Sequence, residues 1–170
     1  VAMPASNTRE YVPGMAEDHW RRSIYTYWKR ASPPPSLLTF DAPTREFCVV
    51  RRAATSTPLQ ALVLWNDPQY VEAARMLAQR TLAAPGDDAS RAGVMYTRCV
   101  GHEPDGETLK LLLDALKGFR ERYRGDVEDA AALLAVGQAP LASDIPKEEL
   151  AAWTMLANAM LNLYQTTTQE

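Results

Sequence analysis

Apolar residues recur at helical spacing through the last two thirds of the chain. The clearest pattern places leucine and aromatic side chains on one face and charged side chains on the other, over about five turns. The apolar face consists of Leu109, Leu112, Leu113, Leu116, Phe119 and Tyr123, and the charged face of Lys110, Asp114, Lys117 and Glu121. This segment is predicted to be an amphipathic helix that packs against a core.

The segment after Pro146 has an apolar arc that is too wide for a surface helix. Its apolar members are Leu150, Trp153, Leu156, Ala157, Met160, Leu161 and Tyr164. A helix that is apolar over most of its circumference has to be enclosed by other elements. We therefore expect the helix around Trp153 to lie at the centre of a bundle.

Proline, aspartate and glycine residues mark the ends of four further helices. Thr57 and Asp67 each precede a proline, an arrangement in which the polar residue caps a helix and proline occupies its first position. The predicted helices run from Thr57 to Asn66, from Asp67 to Pro85, from Asp87 or Asp88 to about Val100, and from Val127 to the terminating Gly137. The fold class is therefore mainly α, a bundle of five or six helices.

The first third of the chain lacks this helical spacing. Residues 1–20 contain prolines and no periodicity, and we expect an irregular lead-in that belongs to a longer parent protein. Residues 21–30 are rich in β-branched and aromatic side chains, which favours a strand and leaves a short helix as the alternative. The prolines at 33–35 predict an extended polyproline-like segment, and Phe47–Val50 is predicted to be a second short strand or an extended run. Residues 21–170 are predicted to form a single mainly helical domain, with this irregular third and its short extended or β element lying on the bundle.

Composition argues against several classes of partner. The formal net charge is −3, so no general positive field attracts nucleic acid. No apolar run approaches the ~20 residues of a membrane-spanning helix, and no membrane span is predicted. Two cysteines, Cys48 and Cys99, allow at most one disulfide and lie outside metal-ligand spacings, so no metal site or covalent haem is predicted in this chain. Cys48 has apolar neighbours and is expected to be a buried, inert thiol.

Three long collinear phrases resemble one protein family. They read RRSIYTYWKRASPPPSLLTFDAPTREFCVVRR at 21–52, TPLQALVLWNDP at 57–68 and AAWTMLANAMLNL at 151–163. The family is a planctomycete-specific C-terminal domain of unknown function, found in large exported proteins that often carry a planctomycete c-type cytochrome module. The resemblance implies an extracytoplasmic chain whose partners are the other domains of its parent protein. It also implies that any haem belongs to the absent upstream part.

Two positions depart from the pattern of that family. Thr55-Ser56-Thr57 stands where the family usually has an asparagine, and Tyr164-Gln165 stands where it usually has Asp-Glu. The family has no established catalytic residues, so the resemblance assigns none to this chain.

Arginine pairs close to aromatic residues form the most suggestive polar group. Guanidinium groups bind carboxylates and sulfates through paired hydrogen bonds. If the two predicted strands pair, their arginines would form a cationic ledge for an acidic or sulfated glycan, with aromatic rings stacked on the sugars. The residues of this candidate ligand site are Arg21, Arg22, Arg51, Arg52, Tyr25, Tyr27, Trp28 and Asp41. The alternative is that Asp41, Glu46 and Asp67 neutralise the arginines in structural ion pairs, which is the more common role of an arginine pair.

Other polar residues carry less chemical information. Glu17, Asp18 and His19 are adjacent, and adjacent side chains point in different directions, so we interpret them as a surface cluster with no metal. His102 follows a helix end, where capping is the ordinary role of the imidazole.

The function most consistent with these patterns is a non-catalytic interaction or scaffolding module of an exported multidomain protein. The alternative is a polysaccharide-directed hydrolase that uses Arg52, Asp41 or His102, or an acidic-glycan-binding domain built on the arginine-rich third. The sequence leaves open whether the chain is an enzyme.

Overall fold

The computed structural model describes residues 20–28, 33–51 and 53–168. Every regular element in these ranges is helical, and no strand occurs among them. The predicted mainly α fold class is therefore confirmed. The chain divides into two compact units, Val1–Gln60 and Ala61–Glu170.

The front unit begins with a single turn of helix. Ser23–Tyr25 form a 3-10 turn, closed by a hydrogen bond from Thr26 N to Ser23 O (3.0 Å). The strand predicted for residues 21–30 is wrong over its described part. The backbone N–H and C=O groups of this turn form hydrogen bonds with each other, whereas in a strand they would form them with a neighbouring strand.

A strand, one of the two forms predicted for Phe47–Val50, is also absent. Phe47 is 68% exposed and Val50 is fully exposed to solvent. Aromatic and β-branched residues favour strands only where a partner strand packs beside them, and the described residues provide none. The same exposure corrects the expectation for Cys48, which is an exposed thiol because its apolar neighbours are themselves exposed.

Helix α1 spans Pro35–Thr39 and begins on the last proline of the segment that was predicted to be extended. Proline is tolerated at the first position of a helix because an N–H there has no partner within the helix in any case. The polyproline prediction for residues 33–35 is therefore wrong at Pro35. Pro34, with φ −59° and ψ 123°, is extended as expected.

Helix α2 spans Pro58–Asn66 and opens with a reciprocal cap. Gln60 N donates to Thr57 Oγ1 (3.3 Å), and Thr57 N donates to Gln60 Oε1 (2.9 Å). The pair satisfies two backbone donors at the helix start. The predicted cap at Thr57 and the predicted end at Asn66 are both confirmed.

Six helices follow α2, and four of them open on an aspartate. The carboxylates of Asp67, Asp87, Asp105 and Asp126 each accept a hydrogen bond from a backbone N–H of the first turn. The ranges are α3 Pro68–Leu82, α4 Asp88–Val100, α5 Gly106–Gly125, α6 Val127–Leu134, α7 Lys147–Leu161 and α8 Tyr164–Thr167. The predicted helices are confirmed to within a few residues, whereas α1 and α8 were not expected.

Helix α7 lies at the centre of the second unit. It packs chiefly against α3, α5 and α6, with smaller contacts to α4 and α8. Trp153, Leu156 and Met160 are completely buried, and each such side chain contributes roughly 1.5–3 kcal/mol. Trp153 Nε1 donates to Glu149 Oε1 (2.8 Å), so the buried indole keeps a polar partner. The predicted central position of this helix is confirmed.

Candidate functional site

The arginine ledge predicted for the front unit lacks the scaffold that was to align it. Arg21, Arg22 and Arg51 are exposed, and the two strands expected to bring them together do not form in the described residues. Arg52 lies outside the described residues, as do Glu17, Asp18 and His19. A ligand-binding role for the arginines therefore stays a prediction.

The aromatic residues predicted beside the arginines differ in their surroundings. Tyr25 is 74% exposed and Tyr27 is 78% exposed. Trp28 is half-buried, and the guanidinium of Arg45 lies 4.9 Å from its ring centroid in a cation–π contact. The two tyrosines are thus available to a partner, whereas Trp28 packs within its own unit.

Other large apolar side chains of the front unit are exposed as well. Trp20 is 50% exposed and Phe47 is 68% exposed. We call Trp20, Tyr25, Tyr27 and Phe47 the exposed ring set. Single exposed apolar residues are ordinary, whereas contiguous exposed apolar patches mark interaction surfaces.

Asp41 anchors a polar network between α1 and α2. Its Oδ2 accepts hydrogen bonds from Thr55 N and Thr55 Oγ1, both at 2.8 Å. Gln60 Nε2 donates to Thr39 O (2.9 Å) and to Thr55 Oγ1 (3.1 Å). Asp41 has a φ of 59°, a left-handed conformation that a non-glycine residue adopts only where its surroundings hold it. The network therefore fixes the path of the chain in the front unit.

Two other polar residues singled out in the sequence lie at helix ends. Asp67 Oδ1 accepts from Gln69 N (2.9 Å) and caps α3, as predicted. His102 Nδ1 lies 3.0 Å from Glu103 O, and its exposed ring meets Tyr96 edge-on with centroids 5.7 Å apart. Asp67 and His102 thus both contact neighbouring groups of the same chain at these helix ends.

The two cysteines are free thiols in different surroundings. Cys48 is exposed, whereas Cys99 is half-buried and packs against the core. Burial raises the pKa of the Cys99 thiol to about 11. Cys48 is consequently the thiol that reagents in solution can reach.

Two buried charged residues of α3 hold the loop after α6, a contact that sequence reasoning missed. Glu72 accepts hydrogen bonds from Gln138 N (2.5 Å) and Ala139 N (3.2 Å). Arg75, which is 1% exposed, donates from Nη2 to Ala139 O (2.9 Å) and from Nη1 to Pro140 O (3.3 Å). The carboxylate of Glu72 thus binds backbone N–H groups of this loop, and the guanidinium of Arg75 binds its backbone carbonyl groups. We call this arrangement the loop clamp.

A cavity of about 350 Å3 adjoins the loop clamp. Its charged lining consists of Arg75 from α3 and Lys147 at the start of α7. The Nε–H of Arg75 is buried and has no hydrogen-bond partner within the part of the chain that the structure describes. The remaining lining is apolar or backbone: Ala131, Leu134, Ala135, Gly137, Ala139 and Leu141.

A second cluster that the sequence did not reveal joins three helices through Arg120 of α5. Arg120 Nη1 donates to Asp88 Oδ2 (2.5 Å) at the start of α4, and Arg120 Nε donates to Glu149 Oε2 (2.9 Å) in the first turn of α7. Hydrogen bonds from Arg120 are the main cause that lowers the pKa of Asp88. Burial alone would raise the pKa of Glu149, but hydrogen bonds from Arg120 and Trp153 outweigh it, and that pKa is lowered as well. Hydrogen bonds to Asp88 and Glu149 in turn raise the pKa of Arg120.

These clusters had only faint signals in the sequence. Glu72 and Arg75 lie one turn apart on the predicted α3, and Arg75 directly follows the core residue Ala74. This position places at least one of the two side chains near the buried face of the helix. The loop residues that they bind lie more than sixty positions away, and no local pattern links them. Arg120 and its two acids are likewise distant in sequence.

The described residues show neither a metal cluster nor a membrane-spanning helix. They contain no group of three or more His, Cys, Asp or Glu side chains that could hold a metal ion. None of their helices combines the length and apolar character needed to span a bilayer.

Residues 1–116 match the family PSD1, described as a protein of unknown function (DUF1553). No curated protein and no solved structure matches the chain. The matched range includes the first two phrases noted in the sequence and most of the helices up to α5. Since it covers more than half of the chain, the protein belongs to the PSD1 family of unknown function (DUF1553).

Proposed function

We propose that this chain is a non-catalytic interaction module of a larger exported protein. The observation that carries the proposal is the exposed ring set of the front unit. Tyr25 and Tyr27 direct most of their surface to solvent, although aromatic rings gain more than most side chains from leaving water. A partner that covers these rings would recover that free energy.

The size of the exposed rings suits a specific contact. At their observed exposures the four rings present on the order of 500 Å2 of surface. A standard protein interface buries about 800 Å2 on each partner. A partner that covered all four rings would find in them the larger share of such an interface.

The second line of support comes from the polar clusters. Asp41, Glu72 and Arg120 are the residues that a search for catalytic groups would select, and each is bonded to backbone or side chains of its own unit. Groups committed to several internal hydrogen bonds stabilise a fold. This favours an interaction role over the hydrolase alternative built on Asp41.

The partner we propose is another domain of the parent protein, outside the cytoplasm. This setting, with its planctomycete origin and its association with a c-type cytochrome module, rests on the three sequence phrases alone. Haem would then be bound by a different part of the parent, with this chain acting as a protein contact.

Hydroxyl-radical footprinting of the isolated chain and of the full parent polypeptide tests the proposal. Tyr25, Tyr27 and Phe47 are expected to be modified rapidly in the isolated chain and protected in the parent. Tyr164, which is 54% exposed on the short helix α8, is the matched control and is expected to react equally in both. Equal modification of the front rings in both samples would overturn the interaction role.

A second candidate is the binding of an acidic glycan. The observation in its favour is that Tyr25 and Tyr27 are exposed close in sequence to Arg21 and Arg22, a composition that stacks on sugar rings and pairs with carboxylate or sulfate. Titration with neutral, carboxylated and sulfated oligosaccharides tests it. Binding that requires the anionic group and is lost in Arg21→Ala/Arg22→Ala would support the glycan reading, and equal affinity for neutral sugars would exclude it.

A further inference from the structure

The segment Phe47–Val50 of the front unit contains strand-forming residues that the fold leaves uncovered. Phenylalanine and valine are among the residue types enriched in strands. All four side chains of the segment are exposed, from Val49 at 47% to Val50, which is fully exposed. Four consecutive residues are neighbours in space, so this exposed apolar surface is continuous and not scattered. We call Phe47–Val50 the apolar segment.

The backbone of the apolar segment is also without partners. None of its N–H and C=O groups forms a hydrogen bond with another described residue, and the bond from Glu46 N to Thr44 Oγ1 (3.5 Å) precedes it. Thr55, further along the same connection between α1 and α2, is by contrast fixed by its bonds to Asp41. The apolar segment therefore presents the same unpaired backbone groups as the edge strand of a sheet.

Strand pairing is the contact that satisfies the side chains and the backbone together. A strand that joins the edge of an existing sheet forms main-chain hydrogen bonds, and its alternate side chains pack on the two faces of that sheet. A partner that covered only the apolar side chains would shield the backbone N–H and C=O groups from water without replacing their hydrogen bonds. The described residues contain no strand that could supply such an edge.

We propose that the apolar segment pairs as a short strand with the open edge of a β-sheet in a partner domain. Its four residues fall within the usual strand length of roughly 3–10 residues. A second copy of the segment is a poorer occupant, because a ribbon of two such short strands is marginally stable in water, whereas an existing sheet has its own core. The inference rests on the proposed interaction role and names the structural class of the partner.

Amide hydrogen exchange tests the strand pairing, with mass spectrometry at single-residue resolution on the isolated chain and on the full parent polypeptide. Successive N–H groups of a strand point to opposite edges, so either Cys48 and Val50 or Phe47 and Val49 are expected to exchange about tenfold or more slowly in the parent. Fast exchange at all four positions in the parent would overturn the strand pairing. If the tyrosines of the exposed ring set are still protected from hydroxyl radicals in that sample, the interaction role stands without it.

Proline substitutions separate backbone pairing from side-chain contact. Because the pairing N–H groups alternate, at least one of Val49→Pro and Val50→Pro removes such a group, and that variant is expected to lose the protection of the whole segment in the parent. Val49→Thr and Val50→Thr are the matched controls, since threonine keeps the N–H and a β-branched side chain, and they are expected to retain the protection. Far-UV circular dichroism of the isolated variants checks that the helices are retained.

Two results with these variants would contradict the proposal. Equal protection in the proline and threonine variants would show that the contact does not use the backbone of the apolar segment. Protection that appears in the isolated chain as its concentration is raised would assign the pairing to a second copy and overturn the partner domain.

Discussion

Replacement of Gly137 by alanine tests the loop clamp directly. Gly137 has a φ of +96°, and a Cβ atom at this position would lie 2.7 Å from both Cβ and Cδ of Glu72. Non-bonded carbon atoms do not approach so closely, so the buried Glu72 would have to move. It would then lose its hydrogen bonds to Gln138 N and Ala139 N.

The expected loss of stability has two parts. The left-handed backbone costs an alanine roughly 1–2 kcal/mol. Disruption of hydrogen bonds to the buried carboxylate adds about 2–3 kcal/mol. Gly137→Ala is therefore expected to lower the free energy of unfolding by roughly 3–5 kcal/mol, a large part of the stability of an ordinary domain.

Gly101 provides a matched control on the same chain. Its φ is +94°, nearly that of Gly137, but a Cβ there would meet no atom within 4 Å. Gly101→Ala is expected to show the backbone cost alone. Urea unfolding of both variants, followed by circular dichroism, measures the difference. If Gly137→Ala is no more destabilising than Gly101→Ala, Glu72 does not hold the loop as described.

Three further predictions concern the other clusters. Thr55→Val removes the hydroxyl that Asp41 and its neighbours share, and it is expected to lower the free energy of unfolding by about 1 kcal/mol in urea titrations; no change would mean that the network is dispensable. Arg120 lowers the pKa of Asp88, so the stability from this cluster is present above the unfolded pKa of about 4 and is lost as the pH falls through the folded value. Arg120→Met is expected to flatten that acid-side slope in unfolding measurements from neutral pH to below about 4, and an unchanged slope would contradict the assignment. In a thiol assay without denaturant, Cys48 is expected to react rapidly and Cys99 only after unfolding; rapid reaction of both would show that α4 opens readily.

The helical part of the fold could be predicted because its signals are local. The apolar spacing around Leu116 and Trp153 depends on helix periodicity alone, and both residues are buried as expected. The caps at Thr57 and Asp67 involve bonds between residues two or three positions apart, which a sequence displays directly. Local chemistry was sufficient for these elements.

The front unit could not be predicted in the same way. Strand propensity for the segment around Tyr25 is realised only with a pairing partner, and residue preferences do not reveal whether one exists. The expected burial of Cys48 failed for the same reason, because its neighbours Phe47 and Val49 are exposed. The loop clamp and the Arg120 cluster were missed since their partners meet only through tertiary packing.

One stability measurement tests the claim that the exposed rings of the front unit bind a partner and do not stabilise the fold. Tyr25→Ser/Tyr27→Ser removes two large side chains that the structure leaves exposed. The free energy of unfolding in urea is expected to stay within about 0.5 kcal/mol of the parent value, as for other surface substitutions. A loss of about 2 kcal/mol or more would show that the rings are packed inside the folded chain, and would contradict the account.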